Sequence, residues 1–105
     1  MSAPSFTFGN FIELYGFSQL DSSSIVILKK IIGNYAKTLS DQGITVQKIS
    51  LQLLPDQHHV VQGHMECNQL TIEQTIEGNG EHENIFLAID GCLKHMQQQL
   101  RLPTL

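Results

Sequence analysis

Ile85-Phe86-Leu87-Ala88-Ile89-Asp90-Gly91-Cys92-Leu93-Lys94-His95-Met96-Gln97-Gln98-Gln99-Leu100 is the stretch on which the fold turns. Its apolar residues Ile85, Ile89, Cys92, Leu93, Met96 and Leu100 recur every three or four positions, the stripe of an amphipathic helix. Asp90, Lys94, Gln97 and Arg101 fall on the other side and should look outward. Residues 81–84 place negative charge near the positive end of this helix, and Pro103 stops it. A helix that is apolar on one side only must bury that side against something else.

Upstream, the period changes from 3.6 to two. Ile49, Leu51 and Leu53 alternate with Lys48, Ser50 and Gln52 over residues 48–54, and Pro55-Asp56 closes the run with turn residues. Over 58–67, Val61, Gly63, Met65 and Cys67 alternate with Val60, Gln62, His64 and Glu66. After Asn68-Gln69, Leu70, Ile72 and Ile76 alternate with Thr71, Glu73, Thr75 and Glu77. The three runs read as an antiparallel meander with one dry and one wet face. Gly78-Asn79-Gly80 reads as the break between the last strand and the final helix.

Further upstream, Asp21-Ser22-Ser23-Ser24 supplies short oxygen-bearing side chains for a helix start. Ile25, Leu28, Ile32, Tyr35, Ala36 and Leu39 form the stripe of a first helix over about residues 23–40, stopped at Gly43. Lys30 and Lys37 lie on its opposite side, with Val26 on the same line. Residues 11–17 read as a first strand, with Ile12 and Leu14 on one face. Phe6 and Phe8 either extend that strand or fold back over it at Gly9-Asn10, and residues 1–5 are expected to be frayed. The expected fold is a single α+β domain over residues 1–105 in the order β-α-β-β-β-α. Its two helices pack on one face of a four-stranded sheet. The other face is open and lined by Ser50, Gln52, His64, Glu66, Glu73 and Glu77.

Composition narrows the chemistry. The chain has 105 residues, 15% of them charged, and a net charge of −4, so any grip on nucleic acid must come from a local patch. Cys67 and Cys92 form no C-x-x-C pair and fall on apolar faces, as buried free thiols would. His58 and His64 would stand about 20 Å apart along an extended strand, at roughly 3.3 Å per residue. With His59, His82 and His95 equally scattered, the histidines read as surface residues and no metal site is expected. No nucleophile–base pair and no phosphate loop is present, so neither an enzyme nor a cofactor or small-molecule substrate is expected. The longest apolar helical run is interrupted by Lys29 and Lys30, and no secretory signal is visible. A cytoplasmic protein without a membrane partner is the expectation.

The run Ile85-Phe86-Leu87-Ala88-Ile89-Asp90-Gly91-Cys92-Leu93, followed by Gln99-Leu100, resembles the ribosome hibernation-promoting and ribosome-associated inhibitor family, also called sigma-54 modulation proteins. Ile12-Glu13-Leu14-Tyr15-Gly16 likewise looks like that family's first strand. The element order is similar over nearly the whole chain, and Asp90 within Ala88-Ile89-Asp90-Gly91 carries most of the specificity. What the resemblance implies is a fold like that of double-stranded RNA-binding domains. It also implies a stress-response role in translation regulation, with binding to the small ribosomal subunit and its RNA. The RNA phosphates would be met by Lys29, Lys30, Lys37, Lys94 and Arg101. Where the family tends to have lysine and arginine on its second helix, this chain has His95 and Gln98. The alternative is a protein–protein interaction module on the same fold. It would be a homodimer joined through the aromatic residues Phe6, Phe8, Tyr15 and Phe17, or an adaptor that docks a basic partner on Glu66, Glu73 and Glu77.

Overall fold

The computed structural model describes residues 6–9, 11–54, 59–69 and 72–100. Within them the chain is α+β. Strands β1 (Phe6–Phe8) and β2 (Ile12–Tyr15) come first, then helix α1 (Ser22–Asp41). Strands β3 (Thr45–Leu54), β4 (His59–Gln69) and β5 (Ile72–His82) follow, then helix α2 (Ile85–Gln98). The sheet has five strands in the order β1-β2-β3-β4-β5, not the four expected. The fifth arises at Gly9, whose φ of +58° reverses the chain, so that Phe6 pairs with Leu14 and Phe8 with Ile12. β2 and β3 are parallel across the α1 crossover, and the remaining pairs are antiparallel. The expected fraying of residues 1–5, the Pro55-Asp56 turn, the inward Leu70 and the stop at Pro103 lie outside the described residues.

Both helices bury their stripes against one sheet face. Ile25, Leu28, Ile32 and Leu39 of α1 share a core with Ile12, Leu14, Ile49 and Leu51. Each such side chain, removed from water, contributes about 2 kcal/mol. The Asp21 carboxylate accepts the Ser24 amide at 3.1 Å and caps α1. At the other end Ile44 N–H donates to the Leu39 carbonyl and Gly43 N–H to that of Ser40. This Schellman pair needs the positive φ of Gly43 and draws Ile44 into the core. In β3 a bulge between Val46 and Lys48 shifts the alternation by one, so Val46 and Ile49 both face the helices. Gly16, at φ +80°, turns the chain so that Phe17 is fully buried rather than presented on the sheet.

Gly78-Asn79-Gly80 does not break β5. The strand runs on to His82, and α2 starts only at Ile85, with Asn84 as its cap. The glycines are there because α2 lies on them. A Cβ on Gly80 would run into the Ala88 carbonyl oxygen, one on Gly63 would sit 2.6 Å from Cys92 Sγ, and one on Gly78 2.8 Å from Met96 Cγ. Gly63 and Gly78 are cross-strand partners, so the three form a bare floor across β4 and β5. α2 also closes part of the sheet edge. Asn79 N–H donates to His95 Nδ1 at 3.0 Å, and Gln99 Nε2 donates to the Glu77 carbonyl at 2.7 Å. Ile72, expected inward, is 57% exposed, because it lies toward the start of β5, away from the contacts with α2. No described helix is long and apolar enough to cross a membrane.

Gly80→Ala should therefore cost about 3 kcal/mol in urea unfolding, by overpacking against helix backbone that cannot yield. Gly33, inside α1 with nothing within 4 Å of where a Cβ would stand, is the control. Gly33→Ala should stabilise by about 1 kcal/mol through helix propensity alone. Equal effects of the two substitutions would contradict the glycine floor.

Candidate functional site

The charged residues sort by layer. Lys30 and Lys37 are exposed on the outward line of α1. Lys29 is turned to the flank of α1, its Nζ 5.5 Å from the centre of the Phe8 ring, a cation–π arrangement beside the stacked pair Phe6 and Phe8. On α2, Lys94 reaches back one turn to Asp90 at 2.9 Å, which neutralises it locally. Arg101, expected to join them, lies outside the described residues. Of the residues standing where the resemblance implies cations, Gln98 is exposed. His95 instead serves the sheet edge: a backbone N–H can only donate, so Nδ1 carries the lone pair and Nε2 the proton.

The open face of the sheet has the opposite character. Alternation places Glu13, Glu66, Glu73, Glu77 and Glu81 on it, with Lys48 as its one lysine among the described residues. Glu13 is the centre of a local network. It accepts the Tyr15 hydroxyl at 2.9 Å and Ser50 Oγ at 3.5 Å, and pairs with Lys48 at 3.2 Å. The Tyr15 hydrogen bond, with the Lys48 contact second, holds the Glu13 carboxyl below its ordinary range. The same contacts hold the Tyr15 and Lys48 protons more tightly. His64 Nδ1 lies 3.5 Å from the Glu77 carboxylate. Between these groups a groove of about 460 Å³ runs over Tyr15, Gln52, Gln62, His64 and Asn79. Tyr15 is thus half-buried and bonded, Phe17 is in the core, and Phe6 and Phe8 lie on the helix side, paired with inward-facing Leu14 and Ile12. These four aromatic residues therefore lie on different sides of the sheet.

Cys67 and Cys92 are buried free thiols. Burial raises both, Cys92 to about 11, so each stays protonated near neutrality. Burial also raises the Tyr35 hydroxyl, whose oxygen finds no hydrogen-bond partner among the described residues. No group of three or more histidine, cysteine, aspartate or glutamate side chains among the described residues is arranged to hold a metal ion.

No family model matches the chain, and no curated protein matches its sequence. The family resemblance therefore rests on the residues quoted for it. The two surfaces were unequally visible beforehand: Lys30, Lys37, Glu66, Glu73 and Glu77 followed from periodicity. The Glu13 network and the edge role of His95 needed the pairing of strands far apart in sequence.

A group whose folded value is lowered adds stability above its ordinary value, here near 4.5, and that stability is lost as the pH falls through the lowered one. Carbon-detected titration should show the Glu13 carboxyl protonating below its ordinary range, and Tyr15→Phe should move its midpoint up. An unchanged midpoint in that variant would remove the Tyr15 hydrogen bond as the cause.

Proposed function

We propose that this chain is a divergent ribosome-associated hibernation factor, a cytoplasmic binding protein that inhibits translation by occupying the RNA of the small ribosomal subunit. The observation that carries the reading is the partition of charge between layers. The described lysines other than Lys48 lie on the helices, and the glutamates of the strands lie on the far side of the sheet. A weakly acidic protein can approach phosphates only if most of its carboxylates are turned away, and such a partition turns away the glutamates of the strands. Lys30 and Lys37, seven residues apart and thus two turns along one line of α1, are the principal phosphate contacts in this reading; Lys29, over the Phe8 ring, and Lys94, paired with Asp90, are secondary ones. Arg101 belongs to the same proposed surface. In this reading β2-α1-β3-β4-β5-α2 is the hibernation-factor domain, of the double-stranded RNA-binding type, and β1 is an added edge.

Cosedimentation with small subunits tests it. Binding at low salt should weaken steeply as salt rises, and Lys30→Glu with Lys37→Glu should lower affinity at least about tenfold. The same pair should flatten the salt slope by about two, one for each lost phosphate contact. Absence of binding at low salt, or a double variant that binds like the parent chain, overturns the reading.

A further inference from the structure

We propose that the helix-free face of the sheet docks a cationic, extended polypeptide segment of a partner protein, whose lysine or arginine side chains pair with Glu66, Glu73 and Glu77. The register makes these three neighbours. Glu66 lies opposite Thr75, so Glu73 and Glu77 are both its diagonal partners on one face, at about 7 Å. Like charges so placed repel, and the neighbouring Lys48 and His64 compensate them only in part. Lys48 stands across from Glu66 but is engaged by Glu13 at 3.2 Å. His64 reaches Glu77 only at 3.5 Å, and the Glu77 side chain is 81% exposed.

Lysine and arginine are donors without acceptors, so they answer the carboxylates of this face directly. The adjoining groove of about 460 Å³ offers the amides of Gln52 and Gln62 and the ring of Tyr15, groups that hydrogen-bond and pack on a peptide backbone. Glu73 and Glu77 are four residues apart on one strand, about 13 Å, which is the span between alternate same-side residues of an extended segment taken two steps apart. The sign of the face excludes RNA as its occupant, and a second copy would oppose glutamates to glutamates. The face lies on the side of the sheet away from the helix lysines, so this inference stands apart from the ribosomal one.

The probe is a short peptide with two lysines four residues apart among glutamines and threonines, titrated at low salt into the full labelled chain and followed by amide shifts. Shifts should concentrate on β3, β4 and β5 around the groove. Glu66→Gln, Glu73→Gln and Glu77→Gln together should weaken binding about tenfold and remove most of its salt dependence. Lys30→Glu with Lys37→Glu, the pair that should weaken ribosome binding, should leave peptide binding unchanged. Should the triple variant misfold, Gln52→Lys, a single exposed position on the same face, should weaken binding in its place. The proposal is overturned if the lysine peptide produces no shifts. It is equally overturned if its lysine-to-glutamine counterpart binds as well, if shifts spread evenly over all surface carboxylates, or if both sets of face variants bind like the parent chain.

Discussion

The approach of α2 to the bare strip of β4 and β5 is the contact on which the rest of the molecule depends. Gly63, Gly78 and Gly80 remove the side chains that would hold the helix off, and α2 presents its own small residues Ala88 and Cys92 to them. At Gly80 backbone meets backbone, a hard contact that fixes the position of α2, while Gly63 and Gly78 receive the side chains of Cys92 and Met96. From that seating follow the burial of Ile89, Leu93 and Met96 and the placing of His95 and Gln99 along the edge of β5. α1, by contrast, packs over the other end of the sheet with long side chains such as Leu28, Ile32 and Leu39, a contact that tolerates adjustment.

The two-layer build also separates charge without any long-range design. Each strand gives one face to the core, so its polar residues collect on the other, and in this chain the charged ones among them are mostly glutamates. Each helix gives its far side to solvent, and on α1 the charges on that side between its two ends are lysines, set among Val26, Asn34 and Thr38. The result is a molecule of net negative charge with one side able to face an anion and the other able to face a cation.

Much of this was readable in the sequence wherever one period held over a whole element. The stripe of α1, the alternation of β3 from Lys48 onward, of β4 and of β5, and the stripe of α2 needed only local spacing, and they located Lys30, Lys37, Glu66, Glu73 and Glu77 correctly by face. The misreadings share a cause: residues whose local preference was overridden by a distant partner. Gly78-Asn79-Gly80 has the composition of a turn, yet Ile76, Gly78 and Gly80 continue the inward line of β5, and the helix above them explains why side chains are missing. Phe6 and Phe8 form a strand only because Gly9 folds them onto β2. Ile72 obeys the period and is still exposed, since alternation says which face a residue points to and nothing about whether that face is covered there. The Glu13 network joins residues 13, 15, 48 and 50, and such a grouping is set by the parallel register of β2 and β3, which no local pattern encodes.

The edge of β5 has one more implication. A β-strand normally advertises its unpaired amides and carbonyls along its whole length, and a second strand can extend the ladder as far as both run. Here the Glu77 carbonyl and the Asn79 amide are already answered by Gln99 and His95 from the same chain. An incoming strand aligned with β5 would forfeit those two rungs and would have to displace side chains anchored on a helix that hard contacts hold in place. Lateral growth of the sheet along β5, the route by which open strands zip into fibres, is thereby interrupted in the middle of that strand. The packing that seats the helix also limits polymerisation at that edge.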